Sequence, residues 1–270
     1  MVVGYVLFPT VYSIWISLNN FDLTSPKGMT FIGLSNYLRA FTDPDMVWTT
    51  GFTLLFVVCS IGLETLIGLG MALLLSVDLR GKGVIRALVI LPIILPDVAV
   101  GYMFRLIYNY EAGPLNYLIQ MVGLTPIHWM ETASGAILAA IVTDVWEWTP
   151  LIALVLMAGM MAIPIEPRES AMVDGASNWQ VFRFITLPMI KSVAVIIILL
   201  RTVDALRTMG MVHLLTGGGP GIATQTISIY TYYVGYKYFN YGYATAVAYV
   251  LVIISTVVGY LFLKAFRYEW

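Results

Sequence analysis

The chain has 270 residues, 60% hydrophobic and 11% charged, with a net charge of −1. Globular proteins carry roughly 45–50% apolar and about 25% charged residues, so these charges are too few to cover a water-facing surface. The near-neutral balance excludes a nucleic-acid binder, which needs a basic face. A single cysteine (Cys59) and two isolated histidines (His128 and His213) offer neither a disulfide framework nor a metal cluster.

The apolar runs predict an all-α membrane protein, one transmembrane domain over residues 1–270 with about six spanning helices. In chain order the runs are 1–18, 47–77, 84–108, 134–163, 187–206 and 241–265. The first lacks a basic leader and a small-residue cleavage site, so it reads as a membrane helix and not a signal peptide. It is short for a span of ~20 residues, which suits a natural chain with residues before Met1. Pro92 and Pro96 interrupt the third run and Pro150 the fourth; each removes a backbone donor and can bend its helix. Such bends mark either a central path or a purely structural kink.

Basic residues set the orientation. With both termini in the cytoplasm, the inner side carries Arg80, Lys82, Arg86, Arg168, Arg183, Lys191, Lys264 and Arg267, and the outer side only Lys27, Arg39 and Lys237. That asymmetry follows the positive-inside rule. Two outer stretches read as folded but not spanning. Residues 30–41 form a short amphipathic pattern, and residues 226–240 carry tyrosines at 230, 232, 233, 236 and 238, which suit the membrane interface.

The loop 164–187, between the fourth and fifth runs, is too long for a plain connection of about 2–8 residues. Pro167 and Glu169 suit a helix start. Gly175 can end that helix by taking a positive φ, and Val181, Phe182 and Ile185 begin another helical face. These signals predict a helix-turn-helix hung on the cytoplasmic side.

The pattern Glu169-Ser-Ala-x-x-Asp174-Gly175-Ala176, followed by Phe182-x-x-Ile185-x-Leu187-Pro188, resembles the EAA loop of ABC-importer permeases. Ser170 stands where the family usually has Ala, and Ser192 where many members have Pro. Further stretches resemble the carbohydrate-uptake branch of that family. They are Pro9 with the later Ser-Ile-Trp-Ile-Ser-Leu, Phe31-Ile-Gly-Leu-Ser-Asn-Tyr37, Arg80-Gly-Lys-Gly-Val-Ile-Arg86, Leu215-Thr-Gly-Gly-Gly-Pro220 and Tyr241-Gly-Tyr-Ala-Thr-Ala246. The resemblance implies an inner-membrane subunit that pairs with a second homologous permease, two cytoplasmic ATPase subunits and an extracytoplasmic solute-binding protein. It implies that Glu169, Ser170, Ala171, Asp174, Gly175 and Ala176 form the coupling helix that docks on the ATPase, where ATP and Mg bind. This chain is expected to bind no cofactor and to catalyse no reaction. Gly217–Gly221 is glycine-rich, but no Gly-Lys-Ser/Thr follows, so it reads as a tight outer turn and not a phosphate loop.

Ionisable residues within the membrane are costly and mark candidate function. They are Glu64, Asp97, Arg105, Asp144, Glu147, Arg201, Asp204 and Arg207. Asp144, Trp146, Glu147 and Trp148 fit a sugar site, because carboxylates accept hydrogen bonds from hydroxyls and indole faces stack on sugar C–H faces. Asp97, Arg201 and Asp204 complete the candidate pathway, although internal pairing of the Arg-Asp-Arg set explains those residues as well. The expected function is ATP-driven import of a sugar or polyol by alternating access. The alternatives are import of glycerol phosphate or a related ester, a proton-coupled secondary transporter, and an intramembrane enzyme using the carboxylates as acid and base.

Overall fold

The computed structural model describes residues 2–26, 28–76 and 81–266. Lys27, Arg80 and Arg267, used above to orient the chain, lie outside the described residues, as do Met1 and Val77 at the ends of the first two predicted runs. Helix α1 (Val2–Ser17) leads into a two-rung antiparallel ladder of β1 (Asn19–Asn20) and β2 (Thr30–Phe31), which pairs Asn19 with Phe31 and Asn20 with Thr30. The amphipathic stretch beyond it is α2 (Ser35–Thr42). Its buried Asn36 donates to the carbonyls of Ser17 and Asn19, both at 2.9 Å, which closes the open end of α1.

Helix α3 (Pro44–Ser76) starts on a proline, whose missing N–H costs nothing at the first position. Next come α4 (Lys82–Ile94), α5 (Asp97–Ile107), α6 (Pro114–Met121) and α7 (Ala133–Met161). The elements that follow α7 are α8 (Glu166–Val173) and α9 (Asn178–Val181), a π-helical turn over Phe182–Thr186 and α10 (Leu187–Met189). The chain continues through α11 (Lys191–Ala205), α12 (Gly210–Thr216), α13 (Ile227–Tyr232), a second π-helical turn over Tyr233–Lys237 and α14 (Tyr241–Phe266).

Among the described residues three helices, α3, α7 and α14, are long and apolar enough to cross a membrane. Two broken pairs raise this to five: α4 with α5, bent by 98°, and Asn178–Met189 with α11, bent by 63°. The apolar stretch of α1, Val6–Ser17, is shorter than these. The third and fifth predicted runs are thus broken helices and not plain spans. The three predicted bends also differ in outcome. Pro92 and Pro150 sit inside continuous helices, whereas the chain breaks at Leu95–Pro96. Leu95 is extended at ψ 138°, the conformation a following proline favours, and Pro96 caps α5.

The largest helix pair is α3 with α7. They approach closely at Gly68, where an added Cβ would lie 2.9 Å from Ile152 Cγ2. Helix α12 packs on α5 at Gly101, where a Cβ would run into the Met211 carbonyl oxygen. The glycine-rich turn does use positive φ at Gly217, Gly218 and Gly221, but the chain beyond it is not a solvent-exposed turn. Thr224 and Thr226 are fully buried, and their hydroxyls donate to the carbonyls of Gly219 (2.8 Å) and Thr208 (2.9 Å). Side chains reach down to close the loop's own backbone, which lets it re-enter the bundle. The tyrosine stretch divides likewise: Tyr232, Tyr236 and Tyr238 are exposed, while Tyr230 is buried and donates to Asp43 at 2.9 Å.

Candidate functional site

Three helices converge on one cation. Arg201 of α11 makes a bidentate contact with Glu64 of α3, Nε to Oε2 at 3.1 Å and Nη2 to Oε1 at 2.9 Å. Nη2 also reaches Asp144 of α7 at 3.2 Å, and Nη1 reaches Asp204 at 2.7 Å. The planar guanidinium fork suits this multiple contact where a lysine would not. The Trp148 ring lies 4.5 Å from the guanidinium, closing the remaining face. The side chains of Arg201, Glu64 and Asp144 are 3%, 0% and 3% exposed, but that of Asp204 is 60% exposed. The cluster therefore has a single wet side, on Asp204. Three carboxylates surround one arginine, so acceptors outnumber the cation at the cluster.

Beside it stands a second group. Glu147, one turn from Asp144 on the same face of α7, is 1% exposed and its Oε2 has no hydrogen-bond partner among the described residues. Asp97, at the first position of α5, reaches the Glu147 carboxyl because the break at Pro96 turns the start of α5 toward α7. A helix start carries partial positive charge and supports a carboxylate there. Trp146 keeps 39% of its surface exposed and packs edge-on against Phe104 at 5.0 Å.

The structure thus brings Asp97, Asp144, Glu147, Trp148, Arg201 and Asp204 together, with Trp146 at their border. It leaves out Arg207, which is exposed and outside the cluster. Glu64 belongs in the cluster although sequence reasoning left it outside the candidate pathway. Its one signal was charge within a span, and that signal did not say which way the side chain faced. Among the described residues, no group of three or more His, Cys, Asp or Glu is placed to hold a metal ion.

The segment between α7 and α11 has the opposite character. Helix α8 buries none of its residues. Gly175 takes φ +82° after it, and the Ala176 N–H closes back on the Ala171 carbonyl at 2.9 Å. Ser177 then opens α9 with a reciprocal capping box to Gln180. Met172, Val173, Trp179 and Phe184 are left exposed around this turn.

A bundle with broken helices that end at a buried charge cluster, plus an exposed helical hook on one face, defines a membrane transport subunit. The chain belongs to the family of inner-membrane components of binding-protein-dependent transport systems, whose model matches residues 64–267. Among curated relatives it is 38% identical to the trehalose/maltose transport system permease protein MalF of Thermococcus litoralis, covering 100% of this chain and 90% of that one. It is 31% identical to the sulfoquinovosyl glycerol transport system permease protein SmoG of Agrobacterium fabrum, over 97% of this chain and 85% of that one. The fold matches a subunit of a bacterial ABC transporter for alginate import with a TM-score of 0.77 and 21% identity, over 98% of this chain and 91% of that one.

Proposed function

We propose that this chain is the transmembrane subunit of an ATP-binding-cassette importer that moves a neutral sugar, of the trehalose or maltose kind, into the cell by alternating access. The observation that carries this reading is the exposed α8 hook with its Gly175 turn, placed between α7 and α11. Glu169, Ser170, Ala171, Asp174, Gly175 and Ala176 present a rigid, unpartnered surface that suits docking in a cleft of a cytoplasmic ATPase. Both termini and this hook lie in the cytoplasm. ATP and Mg bind on two ATPase subunits, a second permease completes the pathway, and a solute-binding protein delivers the sugar from outside. The names of the curated relatives support the cargo class.

The charge cluster supports a neutral cargo over a phosphate ester. An anion bound within this cluster would need a free cation there, and the Nε, Nη1 and Nη2 atoms of Arg201 are all engaged by carboxylates. The exposed sides of Asp204 and Trp146 are instead an acceptor and a ring face, the chemistry that holds a sugar, and the unpartnered Glu147 Oε2 is buried beside them. The test is uptake of labelled trehalose and maltose into proteoliposomes holding the assembled importer. ATP-dependent uptake that survives an uncoupler is expected, and loss with the proton gradient would favour a secondary transporter. Glu147→Gln is expected to slow that uptake roughly tenfold while basal ATP hydrolysis persists.

A further inference from the structure

At the start of α7, the opposite end from α8 and roughly 43 Å from it at 1.5 Å per residue, lies a separate cavity of about 270 Å³. Arg105 and Tyr108 from the end of α5, Asn109 after it, Trp129 and Glu131 ahead of α7, and Thr216 at the end of α12 line it. It is built from rigid walls. Trp129 is held by its indole N–H on Asn116 Oδ1 at 3.2 Å and by the Tyr108 ring at 5.3 Å. Asn109 is held by two backbone N–H groups, of Glu111 and Ala112, on its Oδ1, at 3.1 and 2.9 Å. Arg105 is exposed and has no ion-pair or hydrogen-bond partner among the described residues, although Glu131 lines the same cavity and pairs with His128. A guanidinium left open beside an anchored indole and a carboxylate gives one stacking face with donors and acceptors around it.

We propose that this cavity is a second sugar subsite, on the outer face, which takes one pyranose ring of the incoming sugar before it reaches the membrane-centre carboxylates. Its volume lies just under the roughly 300–1,000 Å³ range of small-molecule sites, which suits a single ring and not a whole oligosaccharide. Stacking falls to Trp129, and the ring hydroxyls meet Arg105, Asn109 and Glu131. Packed rings lie between the cavity and the deeper site. Tyr108 is 3% exposed, and its hydroxyl accepts from Thr143 at 3.5 Å, the residue next to Asp144. The Phe104 ring packs between Tyr108 (5.5 Å) and Trp146 (5.0 Å), so a continuous column of rings runs from the cavity to the charge cluster. This inference rests on the sugar-importer reading.

The test uses the assembled importer in lipid nanodiscs, without solute-binding protein or nucleotide, and labelled trehalose as the probe. Wild type is expected to bind trehalose saturably, and Arg105→Ala and Trp129→Phe to weaken that binding roughly tenfold. Arg105 is exposed, and Phe keeps a ring against Tyr108, so both variants should fold. In proteoliposomes the same variants should raise KM for uptake with kcat preserved, whereas Glu147→Gln should lower kcat. Unchanged binding and KM in both variants would overturn the subsite, even with uptake intact. So would a wild type that transports trehalose but does not bind it under these conditions. A loss confined to capture of the solute-binding protein would make the cavity a protein contact and overturn the subsite too. If wild type takes up no sugar with all partners present, the importer reading fails and the subsite falls with it.

Discussion

The charge cluster and the exposed hook place charge in opposite settings, and the contrast separates two uses of the same residue types. At the membrane centre Glu64, Asp144 and Arg201 are stripped of water and satisfied by one another. On the hook Glu166 and Glu169 stand on a helix with no buried residue, and Asp174 caps its end. A carboxylate in low dielectric is bound to its partner, because separation leaves a buried unpaired charge. A carboxylate in water is free to meet a partner from elsewhere, and its worth is set by that partner. The first group is therefore expected to act on folding, and the second on docking to a partner.

The largest effect should come from breaking the buried side. Arg201→Met leaves three carboxylates facing one another and should cost about 3–5 kcal/mol, read as a lowered unfolding temperature in detergent. Adding Glu64→Gln to that variant should restore part of the loss, since one buried charge is gone. Strictly additive losses would show that the two residues do not act as a pair.

A smaller stability effect and a larger functional one are expected at the hook. Glu169→Ala should leave unfolding within ~0.5 kcal/mol of wild type, as exposed substitutions do. It should nevertheless reduce sugar-stimulated ATP hydrolysis about tenfold and weaken co-purification of the ATPase. Gly175→Val should do so more strongly than Gly175→Ala, because φ +82° strains any side chain and a β-branched one most. Full coupling in both Glu169→Ala and Gly175→Val would remove the contrast drawn above.

The smallest effect sharpens the comparison with a carboxylate between these extremes. Asp43, just before α3, is partly buried, and burial pushes its carboxyl up. Donation from the Tyr230 and Tyr243 hydroxyls, with backbone N–H groups behind them, outweighs that and holds it below the usual carboxylate range. The stability it contributes is present above the ordinary carboxylate pKa and is lost as pH falls through the lowered value. The unfolding difference between wild type and Asp43→Asn should be about 1 kcal/mol at pH 7 and should shrink as pH falls from there to below the ordinary carboxylate pKa. An unchanged difference across that range would mean that the tyrosine contacts do not depend on its charge.

Legibility in the sequence followed the range of the interactions. The hook was readable because its determinants are neighbours: a proline and an acid at the helix start, a glycine at its end and a new apolar helical face beyond it, although the Ser177 cap was not foreseen. The break in the third run was readable as a bend but not as to place, because Pro92, Pro96 and Pro150 offer the same local chemistry and only Pro96 separates two helices. The Arg201–Asp204 contact, three residues apart, was open to the sequence as internal pairing. The Glu64–Arg201 contact, 137 residues apart, was not.

By itself the sequence determined that the chain lives in a membrane, roughly which segments are apolar enough to lie there, and that a helical hook hangs between the fourth and fifth runs. Hydropathy and turn chemistry are sums over neighbouring residues, so one dimension is enough to read them. Only the tertiary structure decided which intramembrane charges are consumed by one another and which remain open, and that the glycine-rich turn folds back into the bundle. Those outcomes depend on where α3, α7 and α11 cross, and helix crossings are set by side-chain packing between segments far apart in the chain.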